Sequence, residues 1–239
     1  MTDPTRFVLV ETSHAGNVGA AARAMKVLGF ADLVLVRPRL PDIAQRDEAL
    51  AMASGAADVL AGARVVESLS EALAGTTWAC ATAMTPRDFG PATFAPREHF
   101  ASLAASRHHV ALVFGPERTG LSNDDVYLHA CLSVPTHPDY GSLNLAQAVQ
   151  LVAYDWRQAL GGFDVVPRTA DAHLADAATI HGALAHWQET LVDIGFLDPA
   201  APKKLMPRLQ QLVNRAQLTV EEVHILRGVA RAAKLRRPS

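Results

Sequence analysis

Phe7-Val8-Leu9-Val10-Glu11-Thr12-Ser13-His14-Ala15-Gly16-Asn17-Val18-Gly19 runs without a break into Ala20-Ala21-Ala22-Arg23-Ala24-Met25-Lys26-Val27-Leu28. The first four residues are continuously apolar, as a short strand buried on both faces requires. A polar turn containing two glycines follows. Apolar residues then recur at helical spacing through an alanine-rich segment, which predicts a helix over 18–28. Strand, turn and helix in that order open a crossover unit, and such units build parallel sheets.

The pattern recurs downstream. Strands are predicted at Phe7–Val10, Leu33–Val36, Arg64–Val66, Trp78–Thr82, Val110–Phe114 and Cys131–Val134. Helices are predicted at Val18–Leu28, Arg46–Ser54, Leu69–Ala74, Arg97–Ala105, Asn123–Leu128 and Leu143–Leu160. The alternation places the chain in the α/β class with right-handed crossovers. Gly161-Gly162 ends the last helix, so a first domain is expected over 1–162 and a linker over 163–172. Residues 173–239 lack strand patterns and read as a small helical extension, with helices near Ala172–Ile194, Lys203–Arg215 and Thr219–Lys234. Thr219 with Glu222 three residues later forms a capping box for the last helix.

Hydrophobic residues make up 49% of the chain and charged ones 19%, which excludes wholesale disorder. No apolar run approaches the roughly 18–20 residues of a membrane span. The polar Met1–Arg6 leads straight into a strand without a signal-peptide pattern, so a cytoplasmic protein is expected. Cys80 and Cys131, far apart in apolar stretches, read as buried free thiols. The ten histidines show no ligand spacing, His108-His109 reads as a surface pair, and no metal is expected. Net charge is −2, unevenly spread: from Lys203 onward nine basic residues face two acidic ones, a net +7 that leaves −9 for residues 1–202. That asymmetry fits a catalytic body with a polyanion-binding appendage, or a solvated basic helix.

Three loops follow the carboxyl ends of predicted strands, where open α/β sheets bind ligands. The first, Glu11–Gly19, lets the backbone approach an anion closely at Gly16 and Gly19, but lacks the three-glycine dinucleotide fingerprint. Arg23 lies six residues after Asn17, so both could face this loop from the first turns of a helix; an exposed helical arginine is the plain alternative for Arg23. The second, Gly115-Pro116-Glu117-Arg118-Thr119-Gly120, is a shaped turn, in which Glu117 and Arg118 also read as a solvent-facing pair. In the third, Val134 to Ala146, Gly141 allows a sharp turn, Ser142 reads as a helix N-cap, and Asn144 falls on the first helical turn.

Together and in this order, Asn17 with Arg23, Gly115–Gly120, and Ser142-Leu143-Asn144 resemble the three motifs of the SPOUT RNA methyltransferases. Phe7–His14, Arg23-Ala24-Met25-Lys26 and Ile225-Leu226-Arg227-Gly228 resemble the TrmJ-type branch, which methylates tRNA. The resemblance implies a parallel sheet with a C-terminal deep trefoil knot. It further implies S-adenosyl-L-methionine (SAM) bound in the knotted loops, a homodimer that shares its active sites, and neither a metal nor a membrane. Carried over, the cofactor contacts are Thr82, Ala83, Met84, Gly115, Val134, Gly141, Ser142 and Leu143. Where the family often has serine this chain has Gly141, so a hydroxyl contact there is lost.

The catalytic set implied is Arg23, Asn17, Glu117, Ser142 and Asn144, and the reaction 2′-O-methylation of the cytidine or uridine ribose at tRNA position 32. The family gives Arg23 the role of base. A guanidinium keeps its proton, so clamping phosphate and stabilising a developing alkoxide is an equally good role. The alternatives are an rRNA or another tRNA position, a non-catalytic RNA-binding protein of the same fold, and a nucleotide-dependent oxidoreductase.

Overall fold

The computed structural model describes residues 3–84, 90–166 and 173–235. The chain divides into two compact units, Met1–Asp164 and Val165–Ser239. In the first, β1 (Asp3–Val10) leads to α1 (Ala15–Val27), β2 (Phe30–Val36), α2 (Asp47–Ala53), α3 (Ala57–Ala61) and β3 (Arg64–Val66). Then come α4 (Leu69–Leu73), β4 (Trp78–Thr82), β5 (Thr93–Phe94), α5 (Pro96–Leu103), β6 (Val110–Phe114), α6 (Asn123–Val126), β7 (Ala130–Leu132) and α7 (Leu145–Ala159).

The seven strands pair in parallel in the order β3-β2-β1-β6-β4-β7-β5. Side chains alternate across a strand, so the apolar run Phe7–Val10 feeds both faces. Phe7, Leu9, Leu33, Leu35, Leu112 and Phe114 join one core with residues of α1, α5 and α7. Val8, Val10, Val34, Val36 and Val113 join a second with Ala72 of α4 and Val126 of α6. Trp156 of α7 locks onto β1 by donating its indole N–H to Thr5 Oγ1 at 2.8 Å. Cys80 and Cys131 are buried and neither forms a disulfide.

Several boundaries differ from expectation. Helix α1 begins at Ala15, so Gly16, Asn17 and Gly19 lie inside it rather than in a turn. The glycines face α2, not an anion: a Cβ on Gly19 would sit 2.0 Å from the Ala49 carbonyl oxygen, and one on Gly16 2.6 Å from Glu48 Oε1. Helix α7 starts at Leu145 with Asn144, not Ser142, as its cap. The Asn144 side chain accepts from Ala146 N–H at 2.9 Å, and Gln147 accepts from Asn144 N–H at 3.3 Å. Strand β7 ends at Leu132, leaving Val134 in the loop. The two-residue β5 and the single-turn α3 were not expected.

The Gly19 contact is with backbone, which cannot rotate away. Gly19→Ala is therefore expected to force α1 and α2 apart at a cost of about 3 kcal/mol, the upper range for overpacking. That lowers the melting temperature by about 6–12 °C in a unit of this size, read by circular dichroism. A drop below about 2 °C shows that the helices separate freely.

The second unit contains α8 (Ala177–Asp193), α9 (Leu205–Ala216) and α10 (Val220–Leu235). Helix α8 begins at its Asp176 cap, whose side chain accepts from Thr179 N–H at 2.6 Å. The α10 capping box forms: Thr219 N–H donates to Glu222 at 2.7 Å and Glu222 N–H to Thr219 Oγ1 at 3.2 Å. Trp187 Nε1 of α8 donates to the Leu226 carbonyl of α10 at 3.1 Å. Lys234 pairs with Asp193 at 2.8 Å, and Arg227 packs against Gly182. Lys203, Lys204, Arg208 and Arg215 stay exposed on and just before α9, no residue of which is buried. Residues 163–166 have no regular structure; the rest of the expected linker (167–172), and Arg236 and Arg237, lie outside the described residues. No described helix is long and apolar enough to cross a membrane.

Candidate active site

The strand order sets β1, β6, β4 and β7 side by side, so the loops at their carboxyl ends meet. Between the last three lies a cavity of about 270 Å³ lined by Thr82, Ala83, Met84, Gly115, Val134, Gly141, Ser142 and Leu143. Leu132, Leu145 and Val152 add apolar wall, and Glu117 is at its rim. Gly115 is required by the way its loop folds back: a Cβ there would lie 2.3 Å from the Leu121 amide nitrogen. At Gly141 a Cβ would meet Thr136 Oγ1 at 2.8 Å. Thr82 donates its hydroxyl to the Val113 carbonyl at 2.9 Å, tying β4 to β6 below the cavity.

A chain of hydrogen bonds ties the three motif loops together. Asn144 Nδ2 donates to Asn17 Oδ1 at 2.9 Å, and Asn17 Nδ2 donates to Glu117 Oε1 at 2.9 Å. Glu117 Oε2 accepts from Ser13 N–H at 3.2 Å and from the Ser13 hydroxyl at 3.0 Å. The direction of every bond is forced. Backbone N–H groups of Ala146 and Ser13 can only donate, so Asn144 turns its oxygen to the first and Glu117 its oxygen to the second. Both amides between them have a single workable orientation. Burial pushes the Glu117 carboxyl up, but the bonds from Asn17, Ser13 and its own backbone outweigh that and hold it below the usual carboxylate range. Glu117 is thus ionised at neutral pH. It is protonated, and the network loosens, only as pH falls through that lowered value.

Of the five residues put forward as catalytic, Asn17, Glu117 and Asn144 are joined. Arg23 and Ser142 are exposed, and no hydrogen bond or ion pair holds either among the described residues. Arg23 stands two turns beyond Asn17 on α1 and is absent from the cavity lining. Ser13 was not among the expected site residues; its only signal was a hydroxyl three positions past the end of β1. His108 and His109 are exposed and far along the sheet, at the amino end of β6. No group of three metal-ligating side chains occurs among the described residues.

Residues 4–154, nearly all of the unit that holds this cavity, match the SpoU rRNA Methylase family. The chain belongs to that family. Residues 178–238 match the C-terminal domain of the tRNA methyltransferase TrmJ. The tRNA (cytidine/uridine/adenosine-2′-O-)-methyltransferase TrmJ of Pseudomonas aeruginosa is 40% identical, the alignment covering 96% of this chain and 93% of that one. The tRNA (cytidine/uridine-2′-O-)-methyltransferase TrmJ of Photorhabdus laumondii is also 40% identical, covering 96% of both. The crystal structure of TrmJ from Z. mobilis ZM4 superposes with a TM-score of 0.82 at 32% identity, over 96% of this chain and 99% of that one. Both parts of this SpoU-family chain therefore have counterparts in the TrmJ branch.

Proposed function

We propose that the chain transfers a methyl group from SAM to the ribose 2′-hydroxyl of cytidine or uridine at position 32 of tRNA. The observation that carries the reading is the directed network Ser13–Glu117–Asn17–Asn144, which joins all three motifs and meets the cavity lining at Glu117. The 2′-O-methyltransferase names of the TrmJ relatives support it. The cavity suits SAM: Leu132, Val134, Leu143 and Val152 offer an apolar slot, and Gly115 and Gly141 leave backbone bare for polar contacts. When bound there, SAM supplies a sulfonium-activated methyl group. The protein's task is to hold the 2′-oxygen in line, and such positioning contributes about 7–11 kcal/mol. Arg23, exposed and uncommitted, serves as a bidentate phosphate clamp that stabilises the developing alkoxide.

The active form is read as a homodimer with the family's knot. Leu151 and Tyr154 stand exposed on α7 as dimer surface, and the insertion of β7 between β4 and β5 is in keeping with a threaded chain. The cations on and before α9 give the second unit its share of tRNA affinity.

The test is mass-spectrometric mapping of ribose methylation in tRNA and rRNA from cells lacking the protein. The 2′-O-methyl group at nucleotide 32 is expected to vanish and to return with the wild-type gene. Loss at an rRNA nucleotide or another tRNA position, or no loss at all, overturns the assignment. A purified reaction on adenosine-32 tRNA decides whether the base range follows the Pseudomonas or the Photorhabdus relative.

A further inference from the structure

We infer that the cleft beside the carboxyl ends of β2 and β3 is a second nucleotide subsite, taking an unpaired nucleotide that flanks the methylated one, with its phosphate on Arg37 and Arg39. The inference rests on the RNA-methylating role proposed above. Three non-glycine residues in the left-handed backbone region cluster here: Glu11 (φ 47°), Arg37 (φ 43°) and Asp42 (φ 50°). Residues with a Cβ adopt that conformation only where their surroundings enforce it, and such positions gather at binding sites. Here the enforcement is visible. Glu11 and Arg37 each follow the last residue of a strand, and each donates its N–H to the neighbouring strand, to Val36 at 2.8 Å and Val66 at 3.0 Å. The result is a carboxylate set between two guanidinium groups, 3.3 Å from Arg37 Nη2 and 3.2 Å from Arg39 Nη2.

Arg37 and Arg39 outweigh Glu11 by one charge, and Asp42 and Glu67 are the other charged residues of the cleft lining. Arg37 also donates Nη1 to the Glu67 carbonyl at 3.1 Å, so the guanidinium of Arg39 is the main anchor. The side chains of Arg37 and Arg39 are 40% and 56% exposed. Arg39 commits one donor to Glu11, so its guanidinium keeps an open edge for a planar acceptor with two oxygens. Together with the exposed Leu50 and Val65 the arginines line a cleft of about 740 Å³. Arginine beside exposed apolar surface is what an unpaired base stacks on, and phosphate is the bidentate acceptor that accompanies it. The cleft is also wired to the candidate active site: Arg39 N–H donates to the Thr12 carbonyl at 2.9 Å, and the next residue, Ser13, holds Glu117.

The experiment uses the full chain with tRNA and SAM. Arg39→Ala is expected to raise the KM for tRNA about tenfold and leave kcat within about twofold. It should flatten the log–log salt dependence of tRNA binding by about 0.7–0.9, with SAM affinity by calorimetry unchanged. Arg39→Lys keeps the charge but not the fork, so it should restore the salt slope and only part of the KM. Wild-type KM and slope in both variants overturn the subsite. So does a loss in kcat alone, which would make Arg39 a scaffold for Ser13. If the wild-type protein methylates no tRNA, the proposed function fails; the salt slopes of direct tRNA binding still decide the subsite by themselves.

Discussion

Arg23→Ala is expected to lower the methylation rate about 10²–10³-fold while SAM binds as tightly as before. The size of the loss is that of removing one group aimed at developing charge. The separation of the two readouts follows from the geometry: Arg23 projects from α1 and is exposed, whereas the cavity is walled by the loops after β4, β6 and β7. Arg23 also has no partner among the described residues, so its removal breaks no contact that holds the fold. Arg23→Lys should recover part of the rate, since the charge is kept and the fork is lost. Single-turnover methylation and calorimetry give the two numbers. A tenth of the wild-type rate retained in Arg23→Ala rejects a central role, and a large loss of SAM affinity moves the residue to the cofactor side.

Glu117→Gln is expected to cost about 5- to 160-fold in kcat and up to about 3 kcal/mol in stability. The substitution keeps the shape and puts an NH₂ where both neighbours donate. Asn17 cannot relieve the clash by turning its amide, because its oxygen already accepts from Asn144, and Asn144 is held in turn by Ala146 N–H. One donor is therefore left unmet in a half-buried place, a penalty of about 1–3 kcal/mol, which converts to that range at about 1.36 kcal/mol per decade. Wild-type kcat in Glu117→Gln, with Tm unchanged, means that the loops hold their places without the network.

Much of this was open to reading in the residues, and the misses have physical causes. The runs Phe7–Val10 and Val110–Phe114 announced central strands, because only a strand covered on both faces is apolar at every position. Thr93–Phe94 and Ala57–Ala61 are too short to show any period. Ser142 looked like a cap since Leu143 resembles a helix start, yet the true signal was present in Asn144 and Gln147 three residues on. Gly16 and Gly19 were read toward a ligand; small residues in a helix serve helix packing as readily, and nothing local separates the two uses. All eight expected cofactor residues line one cavity, since their motifs sit at strand ends that the parallel sheet brings together. Ser13 escaped notice because its partner Glu117 is 104 positions away, and pairing over that distance leaves no mark in a single sequence.

The thiol of Cys80 lies in the middle of β4, fully enclosed, and burial pushes it up to about 12. The thiolate, not the thiol, attacks electrophiles, so around neutral pH this sulfur is chemically silent as long as the strand stays in the sheet. Alkylating reagents and mild oxidants then reach it only through openings of the central strands, and its labelling rate becomes a clock for those openings. The clock ticks at β4, directly beneath Thr82 and the cavity. A ligand that settles there is expected to slow it without touching the sulfur, which would make the labelling rate of Cys80 a reporter of occupancy.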